Sequence, residues 1–364
     1  MPLRYLAIFF LLSLSLHQAH GEEFSPVSQQ HQLMQGAIEL YQAIEKQGGW
    51  ESIPKGTPLK LGDESPRVAL LKARLAVSED FAVDTASEST AFTPTLETSI
   101  KNFQRRHGLE VDGIVGKKTL FELNIPISER LRTLRLNLPR AKRFENYLEP
   151  YFIVVNIAGF ELAVIKNNKV ILRSAIVVGK PYQETPIFSE KIKYIEFNPY
   201  WHIPRSIIQA EILPAIKKNP HYLEEQKMIA SIPLEGASPQ ELQKIKIKQT
   251  PGSWNALGKI KFGFPNQYNV YLHDTPAKGL FRRPMRSFSH GCIRVEEAEK
   301  LARVLFKEDE KDWDPTLLDK ALTSERNRAF YLKSPVPIHI IYRTAWVDVD
   351  GSINFRGDIY HRDM

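Results

Sequence analysis

Only one cysteine, Cys292, occurs in this chain of 364 residues. It cannot form an intramolecular disulfide, so the fold must be held without covalent cross-links. Paired-cysteine metal motifs are absent as well. The residue types allow one zinc grouping, Cys292 with His273 and His290, but no fourth ligand stands at zinc-motif spacing. Beyond residue 21 no apolar run approaches the roughly twenty residues that a membrane-spanning helix needs. An acidic surplus is also missing, since 49 Lys and Arg against 42 Asp and Glu leave a net charge of +7. That balance suits anionic envelope polymers or lipid headgroups and, spread along the chain, serves solubility. Nucleic acid is not an expected partner, because no reading motif for it is present.

What is there begins with an export signal. Residues 1–21 open with Arg4 as the positive end, continue with the apolar run Tyr5–Leu16 and close on Ala19-His20-Gly21, a small-residue cleavage site. Its removal takes away one Arg and no acid, leaving +6, and retained uncleaved it would be an anchor. A free thiol carried out of the cytoplasm has a reason to be there, and this adds weight to a chemical role for Cys292. The full chain is 43% hydrophobic and 25% charged, ordinary for a folded protein, and its length suggests about two domains.

Residues 22–60 read as a helical extension, with Leu33, Ile38, Tyr41 and Ile44 at helical spacing before Gly48-Gly49. Residues 61–126 read as a small three-helix module. Val68, Leu71 and Leu75 mark the first helix, Leu96, Ile100 and Phe103 the second, Leu120 and Leu123 the third, with a turn at Asp112-Gly113. Residues 127–148 form a linker helix through Leu131, Leu134 and Leu138, interrupted or kinked at Pro139. From 149 to 364 the pattern becomes strand-like: Tyr151–Ile157, Glu161–Ile165, a turn at Asn167-Asn168, Val170–Val178, Ile192–Phe197, Ile260–Phe264, Tyr268–His273 and Pro337–Tyr342. Residues 206–249 interrupt it with a helical, basic insertion, and a connection that long inside a compact domain is usually functional. The fold class is therefore α+β: a small helical module, then a β-rich, sandwich-like domain with a helical insertion.

Within that domain, Ser289-His290-Gly291-Cys292-Ile293-Arg294 precedes a run in which Val295, Ala298, Leu301, Val304 and Leu305 repeat at helical spacing. A thiol at a helix start would be biased toward thiolate by the unpaired N–H groups and the dipole. His273 ends a strand, where it could serve as that thiol's base. The plainer readings are a small buried cysteine, a structural histidine and the zinc grouping.

An upstream histidine followed by Ser-His-Gly-Cys-Ile-Arg resembles the signature of the L,D-transpeptidase (YkuD-like) family of peptidoglycan-modifying cysteine enzymes, in particular its larger Gram-negative members. The similarity extends through Val154–Ile157, Val178-Gly179-Lys180-Pro181, Thr185-Pro186, Phe197–Pro204, Asn255–Gly258 and His273–Pro276, and covers roughly 33–364. The spacing Phe103-Gln104, His107-Gly108-Leu109, Asp112-Gly113, Gly116, Thr119, Leu123 is similar to a peptidoglycan-binding module. Two departures are a short region before that module and Asp274, where the wider family often has Gly or Ser.

The resemblance implies a periplasmic, wall-associated enzyme with no cofactor or metal. Cys292 would be the nucleophile on a stem tetrapeptide, His273 the general base, and the N–H groups of Gly291 and Cys292 the oxyanion hole. The Asp274 carbonyl would orient the imidazole, or its carboxylate would raise the imidazole's basicity. His290, Arg294, Trp201 and Ser289 are candidate substrate contacts, and the insertion would cap the site. The product would be a 3→3 cross-link with release of D-alanine. The same motif allows a carboxypeptidase or cross-link hydrolase, or transfer to a lipoprotein lysine, and the module allows a non-catalytic wall-binding scaffold. Peptidoglycan stem peptides and glycan are the implied partners, with peptidoglycan synthases or carboxypeptidases as protein partners.

Overall fold

A computed structural model describes residues 29–78, 80–81, 89–144, 149–309, 314–324 and 326–364. The export signal expected over 1–21 lies outside them. No helix among the described residues is long and apolar enough to cross a membrane.

Helix α1 (Gln30–Lys46) buries Met34, Ala37 and Tyr41 along one stripe and unwinds at Gly48 and Gly49, whose φ angles of 100° and 71° suit glycine. Helices α2 (Pro66–Val77), α3 (Pro94–Arg106) and α4 (Lys117–Leu123) make the small module. Ser65 and Thr93 cap the first two through their side chains, each followed by proline at the helix start. The apolar positions read from the sequence, from Val68 to Leu123, meet in one core.

The module's polar signature residues are spent on folding. Buried Gln104 donates to Asp112 Oδ1 at 2.7 Å and to Ile114 O at 3.0 Å, and accepts the Gly113 N–H at 2.9 Å. His107 is buried and stacks on Phe103 at 3.8 Å. Of the interruption or kink expected at Pro139, the interruption does not occur: helix α5 (Ile127–Phe144) runs through it. Leu131, Leu134 and Ala141 place both sides of the proline in one core, against a cost of about 3 kcal/mol for proline inside a helix.

The β-rich domain begins with β1 (Tyr151–Asn156), β2 (Glu161–Lys166), β3 (Lys169–Gly179) and β4 (Phe188–Phe197). Asn167 and Asn168 turn β2 into β3 with φ of 49° and 61°, the left-handed pair a two-residue hairpin requires. After β5 (Trp201–His202) the chain leaves the body as a cap. It consists of α6 (Arg205–Ile207), a π-helical stretch at Ile208–Ile212, α7 (Leu213–Lys218), α8 (Tyr222–Glu225), β6 (Met228–Ala230), α9 (Pro239–Lys244) and β7 (Ile247–Gln249). The body resumes with β8 (Ile260–Gly263), β9 (Leu272–His273), β10 (Ser287–Ser289) and β11 (Ile293–Val295). Helices α10 (Ala298–Asp309) and α11 (Pro315–Thr323), the long strand β12 (Arg328–Ile341) and the hairpin β13 (Ala345–Val347) with β14 (Ile353–Phe355) complete the chain.

Nine strands hydrogen-bond in the order β10-β3-β11-β9-β8-β4-β12-β1-β2, and β2 pairs with β3 in turn, so the sheet closes on itself. Ile153, Val155, Ile176, Val178, Phe262, Leu272, Ile293, Val295, Ile338 and Ile340 fill its inside together with Leu301 and Leu305 of α10. The cap has a separate core around Ile203, Ile208, Ile212, Met228 and Ile247. Hairpin β13–β14 packs away from the sheet, sharing a core with α1 and α5 through Met34, Tyr41, Leu131, Val347 and Phe355.

One expectation about the site is overturned. Cys292 does not start a helix: Ile293 and Val295 alternate into the core as strand β11, and α10 begins only at Ala298. Val295 fits a helical spacing with Ala298 and Leu301 and a strand spacing with Ile293 equally well, and pairing with β3 decides it. The helix dipole therefore does not act on the thiol. The strand expected over 268–273 is shorter than read, because Asn266 caps a turn that includes Asn269 at φ 54° and only Leu272–His273 pair as strand.

Candidate active site

Strand β11 runs parallel to β9, with Ile293 opposite Leu272 and Arg294 opposite His273. Cys292 thus lies opposite Tyr271 and diagonal to His273 on the same sheet. His273 Nδ1 sits 2.5 Å from the Asp274 carbonyl oxygen. A carbonyl can only accept, so Nδ1 carries the hydrogen and Nε2 keeps its lone pair. Burial, aided by the charge of Arg294 and opposed by the bond to the Asp274 carbonyl, lowers the imidazole pKa to about 3. It is neutral at neutral pH and is held in the tautomer a base needs.

Cys292 is partly exposed, yet its sulfur is crowded. Burial pushes its pKa up, and hydrogen bonds from the Tyr271 N–H and hydroxyl, with the charges of Lys261 and Arg294, pull the other way without prevailing. The resting group is a thiol, not the thiolate that a helix start would favour.

Tyr271 organises this floor, and the sequence reading passed over it. Its hydroxyl is in hydrogen-bonding contact with Cys292 and with the Trp201 indole, and burial raises its pKa well above that of a free phenol. Its ring stands edge-on to His273 at 5.7 Å between centroids, with Lys261 Nζ 4.9 Å from its own centroid. Lys261 is paired with Glu196 at 3.3 Å and lies opposite His273 across β8–β9. The signal was present: Tyr271 and His273 are two apart in an extended segment and share a face.

The other anticipated residues divide. Trp201 reaches the site from the cap through Tyr271. His290 is engaged by the cap, its Nε2 2.6 Å from Glu211 Oε1 in the π-helical stretch. Cys292, His273 and His290 form no metal-holding group among the described residues. Arg294 lies beside both Cys292 and His273, and its buried Nε has no hydrogen-bond partner among the described residues. Ser289 is a brace rather than a contact surface: buried, it donates to the Cys292 carbonyl at 2.5 Å and accepts the Gly291 N–H at 3.1 Å.

The bond to Ser289 means that, of the two N–H groups expected to hold an oxyanion, that of Gly291 is already engaged. The Asp274 carboxylate is committed elsewhere, accepting from the Lys259 N–H at 2.9 Å and pairing with Lys278 at 2.7 Å. It makes no hydrogen bond to the imidazole; the backbone carbonyl holds the ring, and the charge of the carboxylate also raises the imidazole's basicity, behind the carbonyl bond in size.

Residues 150–310 match the family described as L,D-transpeptidase catalytic domain, and residues 64–123 match "Putative peptidoglycan binding domain". A curated protein of Haemophilus influenzae, named "Putative L,D-transpeptidase", is 32% identical over 220 residues, which is 58% of this chain and 44% of that protein. The chain thus spans less than half the length of that relative. Solved structures include an L,D-transpeptidase from Mycobacterium smegmatis, 16% identical, with 53% of this chain and 58% of that one covered at a TM-score of 0.28. Another, from Stackebrandtia nassauensis, is 14% identical, with 79% and 97% covered at a TM-score of 0.29. At such scores these superpositions carry no weight, and the assignment rests on the two domain matches and the curated relative.

Proposed function

We propose that this chain, which carries an L,D-transpeptidase catalytic domain over residues 150–310 behind a peptidoglycan-binding domain over 64–123, is an exported, wall-associated enzyme that joins stem peptides through a cysteine acyl-enzyme. The observation that carries the reading is a neutral imidazole pinned by the Asp274 carbonyl on the strand next to the chain's one thiol.

The donor is a stem tetrapeptide ending in a meso-diaminopimelate to D-alanine bond. Cys292 Sγ attacks its carbonyl carbon while the thiol proton passes to His273 Nε2, and the oxyanion is met by the Cys292 N–H. Because His273 is so weak a base, its protonated form is a strong acid and readily returns the proton to the departing D-alanine nitrogen. The neutral amine of a second stem's diaminopimelate then attacks the thioester carbonyl and loses a proton to the same imidazole as the carbon–nitrogen bond forms; the imidazole passes that proton to Cys292 Sγ as the carbon–sulfur bond breaks, giving a 3→3 link and the thiol. Arg294, with spare hydrogen-bonding capacity beside the sulfur, meets a carboxylate of the peptide.

Incubation with purified disaccharide-tetrapeptides tests the reading. Dimers with released D-alanine are expected. Tripeptides alone would replace transfer by hydrolysis, and unchanged substrate with bound sacculi would leave only a wall-binding scaffold.

A further inference from the structure

We infer that Thr185 and Tyr360 are positioning residues of this reaction: together they hold the Gly291–Cys292 peptide so that the Cys292 N–H is aimed at the developing oxyanion. The inference rests on Cys292 being the acyl acceptor.

The clamp is a closed set of hydrogen bonds. Thr185, fully buried, accepts the Gly179 N–H at 3.0 Å and donates its hydroxyl hydrogen to the Gly291 carbonyl at 2.9 Å. Tyr360, also buried, donates to the Gly179 carbonyl at 2.7 Å and accepts the Thr185 N–H at 3.1 Å. The N–H and C=O of Gly179 and the N–H and hydroxyl of Thr185 are thereby tied, and a methyl group added at Gly179 would lie 2.0 Å from the Gln183 carbonyl oxygen. Tyr360 is itself fixed, its N–H donating to the Tyr342 hydroxyl at 3.0 Å.

The consequence reaches the sulfur's own residue through the peptide geometry. In a trans peptide the C=O and N–H point in opposite directions, so drawing the Gly291 oxygen onto Thr185 directs the Cys292 N–H the other way. A clamp is needed at this point because Gly291 sits at φ 108°, where glycine permits several orientations of the adjoining peptide. With the Gly291 N–H taken by Ser289, the Cys292 N–H is the donor whose aim matters.

Two reactions of the same sulfur separate positioning from general damage. Acylation by a tetrapeptide donor passes through an oxyanion, whereas alkylation by iodoacetamide displaces iodide from carbon and needs none. T185V is expected to slow acylation about 10- to 100-fold, the scale of a misplaced oxyanion donor, while alkylation at alkaline pH stays within about twofold of wild type. T185S, which keeps the hydroxyl, should restore most of the acylation rate. Should T185V fail to fold, Y360F carries the same comparison with one hydroxyl removed. Wild-type acylation in the folded variants, or acylation and alkylation falling together, would overturn the inference. A wild-type enzyme that is alkylated on Cys292 yet never acylated would instead remove the reading on which it rests.

Discussion

At His273 and Cys292 the structure reverses the usual picture of an ion-paired cysteine nucleophile. An imidazole lowered to about 3 and a thiol pushed upward leave both groups neutral over the working range. Alkylation of Cys292 should therefore rise steadily with pH and show no acid-side plateau, and a plateau extending below neutrality would mean a thiolate–imidazolium pair at rest. The two histidines separate as well. His273→Gln removes the proton acceptor and should cost about 10²- to 10⁴-fold in kcat, whereas His290→Gln loses only the contact to Glu211 and should mainly raise KM. The opposite ranking in steady-state rates would exchange their roles. In the sequence Cys292 and His273 stand out as a lone thiol and a strand-end histidine, but residue type alone left plainer readings open and the resemblance to L,D-transpeptidases singled them out; the structure sets them on neighbouring strands. Tyr271 was overlooked as one more aromatic in a strand, and no sequence pattern shows that Ser289 takes the Gly291 N–H.

Among the elements, those that depend on local period were readable and those decided by pairing were not. The apolar stripes of α1 to α4 and the Asn167-Asn168 hairpin follow from spacing and turn chemistry alone. Strand β12 runs from Arg328, well before the expected Pro337, because its first half is drawn out by pairing with β4, and Val295 is a strand residue through β3. The cap is the element with a clear functional test. Its core is separate from that of the sheet, and it touches the site through Trp201 on Tyr271 and Glu211 on His290. Replacing residues 209–249 by a short linker should leave a cooperatively melting protein whose kcat/KM has dropped at least about tenfold, since it removes the Glu211 contact to His290 and takes from Trp201 the strand it pairs with. An unchanged kcat/KM would show that the cap is a surface excursion.

In the whole molecule, module and catalytic body meet through the C-terminal hairpin. His107 stacks near Phe355 at 5.6 Å between centroids, Arg130 lies 4.5 Å from the centroid of the same ring, and Arg356 donates to the Arg106 carbonyl at 2.7 Å. Composition and spacing separate the module from the β-rich part, but they cannot show that the chain's last strands return to its first helix. Phe355→Ala should lower stability by about 3–5 kcal/mol, read from denaturant unfolding, while reaction with soluble muropeptides persists below the melting point. A loss under about 1 kcal/mol would mean that the hairpin is not part of the core. The central claim, an acyl group carried on one sulfur, is tested most directly by the intact mass of the protein after reaction with a tetrapeptide donor when no acceptor amine is present. The predicted mass is that of the enzyme plus donor less D-alanine, carried on Cys292 and absent from Cys292→Ser. An adduct that retains D-alanine, or a serine variant that acylates at the wild-type rate, would contradict it.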